Sequence, residues 1–263
     1  RPAVKWADAK GTKRFIAKFS DLASVRVDRK TATDDPLAAL NPFTSERADT
    51  NLTAYTSSAR NTFFYDRTSR SWSMDHTWQN DRSRSLLLNG YESRSRSFNT
   101  VRVRWNTTRQ WTVDVEGERG RSSNGSDLLS GRTWAIDQQS IKPRVTWQPN
   151  TSVRIMLAYK YTEKDNQEEF GGEHALLQDL GLEMRYNTAG KGSIVTSANL
   201  VDIGFDGGVN TSLGNELLGG LKPGTNATWS VSIQRNLSNN LQVDLTYNGR
   251  RSEGVPVVHV GGA

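Results

Sequence analysis

Three histidines are the side chains of this sequence best suited to acid–base chemistry near neutral pH, because the imidazole titrates in that range. They are His76, His174 and His259. An acid–base or nucleophilic site needs partners that converge on the ring. Asp75 precedes His76 in a predicted strand, so the two side chains point to opposite faces and form no dyad. His174 follows Glu173 in a predicted loop, and His259 lies in the last predicted strand.

Other catalytic patterns are absent from the sequence. There is no G-x-S-x-G, H-E-x-x-H or P-loop motif, no histidine spacing typical of a metal site, and no cysteine. We therefore expect no enzyme activity, no cofactor and no metal site.

The strongest pattern is the alternation of charged and apolar residues. In segment 98–118, FNTVRVRWNTTRQWTVDVEGE, one set of alternate positions is apolar and the other is polar or charged. A period of two predicts strands with two different faces, and the short polar turn near 106–110 predicts a hairpin. Trp105 and Trp111 flank this turn on the apolar face.

The same alternation recurs along the chain. It predicts strands near 60–66, 70–78, 98–106, 110–118, 133–148, 152–162, 176–187, 192–203, 226–236, 240–249 and 255–260. Short turns near 67–69, 106–110, 148–152, 187–192 and 236–240 alternate with longer loops near 79–97, 119–132, 163–175, 204–225 and 250–254.

These features together predict an all-β fold, an antiparallel transmembrane β-barrel. An apolar outer face, a polar interior, aromatic girdles, short periplasmic turns and long extracellular loops are typical of outer-membrane barrels. No apolar run is long enough for a transmembrane helix. One further strand from 13–30 brings the count to about twelve, unless the chain is part of a larger barrel. Residues 1–59 are otherwise predicted to be irregular, with a long loop over 31–56, and residues 60–263 to hold the barrel strands.

Two groups of residues are predicted to contact the surroundings of such a barrel, one at the lipid interfaces and one in the lumen. The first group consists of aromatic residues at the lipid interfaces: Trp72, Trp78, Trp105, Trp111, Trp147, Tyr161, Tyr186, Trp229 and Tyr247. The second group faces the lumen: Arg102, Arg104, Asp114, Glu116, Lys142, Arg144, Arg154, Lys160, Glu183, Arg185 and Asp244. The lumen charges form either a paired network that fills a narrow interior or a mixed-charge pore lining.

The segment 82–96, RSRSLLLNGYESRSR, is predicted to be an arginine-rich extracellular loop. Its guanidinium groups suit the phosphates of lipopolysaccharide; the alternative is simple solvation. The four candidate contacts are Arg82, Arg84, Arg94 and Arg96. The net charge of +6 would also suit nucleic acid. We do not expect that partner, since the segment is short, is interrupted by three leucines, and lies between membrane-like strands.

The predicted strand 192–203 is less regular, because Leu200 and Val201 fall on opposite faces. A small plug, a partner or a shifted register would each explain this.

The C-terminal region resembles a known group of proteins. The segments GLKPGTNATWSVSIQRNLSNNLQVDLTYNGR and VVHVGGA, with SWSMDHTW and LLLNGYESRS earlier, are similar in style to the C-terminal barrel region of large, mostly uncharacterised outer-membrane proteins of the Bacteroidota. The resemblance implies a Gram-negative outer membrane and brings no functional residues with it. Such barrels usually end in an aromatic residue, whereas this chain ends Gly-Gly-Ala, so we expect a truncated C-terminus.

Three classes of function follow for a barrel. It is a pore, transporter or translocation component, or a scaffold that docks other envelope proteins through its loops, or, least favoured, a rim-site enzyme. Outer-membrane lipid and lipopolysaccharide are the expected partners. A soluble β domain or surface fibre is the remaining alternative, and it requires a second layer over every apolar face.

Overall fold

The residues that the structure describes form one antiparallel sheet of eleven strands, each paired with its neighbours in sequence. The computed structural model describes residues 15–32, 52–88, 90–188, 190–238 and 241–253. The strands are β1 (Phe19–Thr31), β2 (Leu52–Tyr65), β3 (Trp72–Leu87), β4 (Gly90–Asn106), β5 (Trp111–Ser126), β6 (Trp134–Trp147), β7 (Val153–Asn166), β8 (His174–Thr188), β9 (Gly192–Asp206), β10 (Gly224–Ser238) and β11 (Leu241–Ser252). The prediction of an all-β antiparallel fold is confirmed.

Little else in the described residues is regular structure. One short helix, α1 (Ser212–Leu218), lies between β9 and β10, and two 3₁₀ turns occupy Ser130–Arg132 and Glu168–Phe170. No helix within the described ranges has the length and apolar character needed to cross a membrane. Strand β1 supplies the strand expected from 13–30. Within the described residues β1 and β11 are the edges of the sheet, and the predicted strand 255–260, with His259, lies outside them.

The ladder keeps the two residue sets on separate faces. Val103 pairs with Val115, and Arg102 pairs with Glu116. Residues that are directly opposite in an antiparallel pair project from the same face. We call the face that carries Val103 the apolar face and the one that carries Arg102 the polar face. The short turns lie at one end of the strands, the short-turn end; the other end is the loop end.

The apolar face is exposed, although it carries large hydrophobic side chains. Leu157, Leu182 and Leu245 expose 48%, 44% and 62% of their surface. They lie on strands β7, β8 and β11, so the exposure extends across much of the sheet. Water-soluble monomers rarely leave an apolar surface of this extent open, which favours lipid as its environment.

The strands extend further at the loop end than the alternation predicts. Strand β3 runs to Leu87 and β4 begins at Gly90, so the predicted loop 79–97 is wrong and a tight hairpin stands in its place. Strand β2 likewise begins at Leu52, and the other loops shorten to 127–133, 167–173 and 207–223. Serine and arginine occupy both faces of the β3–β4 hairpin at this end. The alternation of apolar and polar residues therefore stops there, although the two strands remain hydrogen-bonded. For example, Arg82 pairs with Ser95, and Ser83 pairs with Arg94.

A close ring–glycine contact joins β4 to β5 on the polar face. Gly120 lies opposite Phe98, whose side chain is 6% exposed. A Cβ atom at Gly120 would lie 2.5 Å from the Phe98 ring and 2.3 Å from the Ser97 carbonyl oxygen. The backbone oxygen cannot yield easily, so the contact depends on glycine.

We expect Gly120→Ala to lower the free energy of unfolding by about 1–3 kcal/mol, the usual cost of overpacking. Gly117→Ala, in the same strand, is the matched control, because its Cβ would meet no atom within 4 Å. Urea titration of the refolded protein in detergent measures both variants. Equal stabilities for the two variants would contradict the contact.

Candidate functional site: the polar face and its helix

The register places all eleven predicted lumen residues on the polar face. Charges on β4, β5 and β6 form two rows. In the first row Asp114 lies between Arg104 and Arg144, and in the second row Glu116 lies between Arg102 and Lys142. Opposite charges therefore alternate across three strands.

Asp114 is the most enclosed member of these rows. It is 7% exposed, and its Oδ1 accepts a hydrogen bond of 3.1 Å from the Arg102 guanidinium. Arg104 and Arg144 lie opposite Asp114 on the two neighbouring strands, and Arg102 contacts it diagonally. A buried carboxylate is stable only with such cations near it, and Arg102 is its direct ion-pair partner.

The other predicted lumen charges are more open. Lys160 pairs across the ladder with Asp179, and Glu183 lies 3.8 Å from Arg185. Arg154 faces Arg185, and both are exposed. Asp244, on β11, is exposed and accepts hydrogen bonds from Gln242. The face thus combines rows of alternating charge on β4–β6 with a hydrated charged region on β7–β11.

The predicted interface aromatics all lie on the apolar face, at two levels. At the short-turn end Tyr65 contacts Trp72 with ring centroids 4.9 Å apart, Trp72 pairs with Trp105, and Trp111 contacts Trp147 at 5.9 Å. Tyr186 continues this level on β8.

The second level lies toward the loop end. It consists of Trp78, Tyr161, Trp229 and Tyr247. On β3 the span from Trp72 to Trp78 is about 20 Å along the strand. We call the apolar face between the two levels the apolar band. Interface contact stays a prediction for these residues.

The four arginines of segment 82–96 do not form one loop cluster. Arg82 and Arg84 project from the apolar face, beyond Trp78, whereas Arg94 and Arg96 project from the polar face. The prediction that the four residues lie in one loop is therefore wrong, and their contact with lipopolysaccharide stays a prediction. Arg84 stacks on the Tyr91 ring, with Cζ 4.2 Å from the centroid, and Arg96 stacks on the Phe98 ring at 4.7 Å.

Helix α1 was not predicted; its segment was expected to be part of loop 204–225. Local sequence explains its limits. The Thr211 hydroxyl accepts a 2.8 Å hydrogen bond from the Gly214 amide at the first turn. Gly219 ends the helix in the left-handed conformation, with φ of 62°.

Helix α1 packs on an apolar patch at the loop end of the polar face. Leu213, Leu217 and Leu218 are 8%, 0% and 1% exposed. The patch beneath them consists of Trp134, Ile136, Ala175, Leu177, Val201, Ile203 and Phe205. Leu200 and Val201 point to opposite faces because they are neighbours in a strand. Val201 is apolar although it lies on the polar face, because helix α1 covers it there as a small plug. The register of β9 is regular there.

Lys164 of β7 ties the helix to the sheet. Its ammonium group donates a 2.9 Å hydrogen bond to the Glu216 carbonyl oxygen, near the C-terminal end of α1. Lys164 lies beyond Tyr161, outside the apolar band. Burial lowers the pKa of this lysine. Glu216 opposes the shift, while the Lys160 and Arg96 cations add to it.

The sheet curves around helix α1. Glu216 of α1 lines one cavity together with Thr56, Asp81 and Arg94, which belong to β2, β3 and β4. The polar face is therefore concave, and α1 lies within the concavity.

The structure separates the two described histidines by environment. His76 projects from the apolar face and Asp75 from the polar face, as expected for neighbours in a strand. His174 begins β8 instead of lying in a loop, and its Nδ1 is 2.6 Å from Asp165 Oδ1. Sequence reasoning missed this partner, which is distant in sequence and directly opposite in the ladder.

Comparisons with known proteins identify no family for this chain. No protein-family model matches the chain, and no curated protein matches it. Among solved structures it is similar to the translocator domain of the autotransporter NalP from Neisseria meningitidis, at 11% identity and a TM-score of 0.34, over 76% of this chain and 75% of that one. A likeness at this level assigns neither family nor function.

We expect Asp114→Asn to lower the free energy of unfolding by about 1–3 kcal/mol, because the change removes the enclosed charge that pairs with Arg102 and lies opposite Arg104 and Arg144 in the ladder. Asp244→Asn is the control, since that carboxylate is exposed, and its cost is expected to stay below about 0.5 kcal/mol. Urea titration in detergent compares them. A cost for Asp114→Asn no larger than the control would show that the row is not a stabilising network.

Proposed function

We propose that this chain forms the wall of a transmembrane β-barrel in the outer membrane of a Gram-negative bacterium, and that its concave polar face lines a passage for a solute or a polypeptide. One observation carries the proposal. The eleven-stranded sheet separates an exposed apolar face with aromatic residues at two levels from a concave face with charges of both signs.

The chemistry of the two faces supports this assignment. Each backbone N–H and C=O group in the hydrocarbon region needs a hydrogen-bond partner within the protein, and the ladder supplies one on both sides of strands β2 to β10. Within the described residues β1 and β11 are paired on one side only. Charges such as Arg102 and Lys160 would be costly against lipid, so the face that bears them belongs to an aqueous interior. Neither face suggests chemistry beyond selection and passage, and we propose no catalytic role.

Helix α1 narrows the proposed passage at its loop end. It covers the loop end of the polar face above β6, β8 and β9, while the rows on β4–β6 occupy part of the face closer to the short turns. Both features narrow the interior. They favour a gated passage, and they also support the second candidate, a closed scaffold barrel that docks envelope proteins through the connections 127–133 and 167–173.

Loosening α1 distinguishes a passage from a scaffold. Leu217 has no exposed surface, so Leu217→Asp should release the helix from its patch. We expect longer and larger conductance events than wild type in planar lipid bilayers. Leu221→Asp is the control, since Leu221 is 39% exposed and lies after the helix.

A closed barrel stays folded in SDS until it is heated, so a change in gel mobility on boiling shows that a variant is folded. If wild type and Leu217→Asp both show this change and neither conducts, the scaffold candidate is favoured.

We also propose that the outer arginines bind lipopolysaccharide phosphate. Arg82 and Arg84 lie on the apolar face beyond Trp78, where lipid head groups would lie if Trp78 marks the interface. Arg82 pairs with Ser95, so hydroxyl and guanidinium donors share the site. Arg94 and Arg96 lie on the other face and would not reach lipid.

The double variant Arg82→Gln/Arg84→Gln is expected to weaken binding of lipid A to the refolded protein, since two phosphate-binding charges are lost. Arg94→Gln/Arg96→Gln removes the same charge from the polar face and should bind as wild type does. Fluorescence titration with labelled lipid A measures both. Equal weakening by the two double variants would mean that net charge, and not the outer site, determines binding.

A further inference from the structure

Glu163, Asp165 and His174 form a compact cluster that no part of the proposed passage uses. One ligand atom from each of the three side chains lies within 4.8 Å of the other two. The closest pair is His174 Nδ1 and Asp165 Oδ1, at 2.6 Å. Carboxylate oxygen and imidazole nitrogen at such separations can share one cation.

The β ladder produces this convergence. Asp165 of β7 is directly opposite His174 of β8, and Glu163 is two residues before Asp165 on the same strand. All three therefore project from one face. The positions are fixed by backbone pairing and not by a flexible loop, which limits the rearrangement needed to close around an ion.

The ligand types narrow the identity of the cation. Calcium and magnesium prefer sets made only of oxygen atoms, whereas an imidazole nitrogen suits zinc and neighbouring transition metals. One histidine and two carboxylates give three protein ligands and leave a fourth tetrahedral position for water. The two carboxylates also balance the charge of a divalent ion.

A side chain from the next strand supports the cluster. The Gln139 amide of β6 donates a hydrogen bond to Glu163 Oε2. The other carboxylate oxygen of Glu163 is thereby left for a cation, and hydrogen bonds of this kind orient ligands in metal sites.

We propose that Glu163, Asp165 and His174 bind one zinc ion, which links β7 to β8. The cluster lies on the same face as Tyr161, beyond it toward the loop end, and Asp165 is exposed, so the site is open to ions from the external medium. This proposal is independent of the proposed passage, and it departs from the sequence-based expectation of no metal site.

Isothermal titration of the refolded, metal-free protein with zinc chloride tests the site. We expect one zinc per chain, with binding lost in His174→Ala and in the nearly isosteric Asp165→Asn. Gln139→Ala should weaken binding by about tenfold, the typical effect of removing an orienting hydrogen bond. His76→Ala is the matched control and should bind as wild type does, because His76 lies on β3, away from the cluster.

Three results would overturn the proposal: no saturable zinc binding by wild type, equal binding by wild type and His174→Ala, or calcium binding as tight as zinc binding. The circular dichroism spectrum and the heat-dependent gel mobility of each variant confirm that it is folded. Zinc binding and bilayer conductance are separate readouts, so failure of one proposal leaves the other intact.

Discussion

The structure depends on the pairing of backbone groups across strands. In a hydrocarbon environment every N–H and C=O group needs a partner within the protein. Strands β2 to β10 pair with both sequence neighbours and so provide this across the sheet. The strands, from 12 to 17 residues, are longer than the apolar band requires. Once pairing is fixed, the period of two determines which side chains lie on the apolar face and which lie on the polar face.

The polar face changes character along its height. Near the short turns it holds paired charges, with Asp114 enclosed by arginines. At the loop end it becomes apolar and is covered by α1, which Lys164 holds through the Glu216 carbonyl group. A plug of this kind needs its own small hydrophobic core, so Leu217 and Ile136 are fully buried inside an otherwise hydrated concavity.

Sequence periodicity predicted the parts of this fold where the two faces differ. The hairpin of β4 and β5 follows directly from the alternation around Trp105 and Trp111. The same reasoning failed at the β3–β4 hairpin, because serine and arginine occupy both faces there and only the ladder shows that strands continue. Helix α1 was missed because seven residues among glycines give no helical period, although Leu200 and Val201 marked its docking patch.

Cross-strand relationships were also beyond the sequence. His174 has its partner in Asp165 through the register of β7 and β8, and no local spacing indicates that pairing. Likewise, Arg82 and Arg84 can be assigned to one face, and Arg94 and Arg96 to the other, only when the register of the β3–β4 hairpin is known. Local pattern thus predicts faces, whereas contacts between strands require the structure.

The most direct test of the account is the accessibility of single spin labels along β4 in lipid vesicles. The chain has no cysteine, so a cysteine introduced at each position from 100 to 104 carries the only label. We expect labels at Val101 and Val103 to be reached by oxygen dissolved in lipid, and labels at Arg102 and Arg104 by a water-soluble nickel chelate. Equal exposure of all five positions to the chelate would contradict a lipid-facing apolar face.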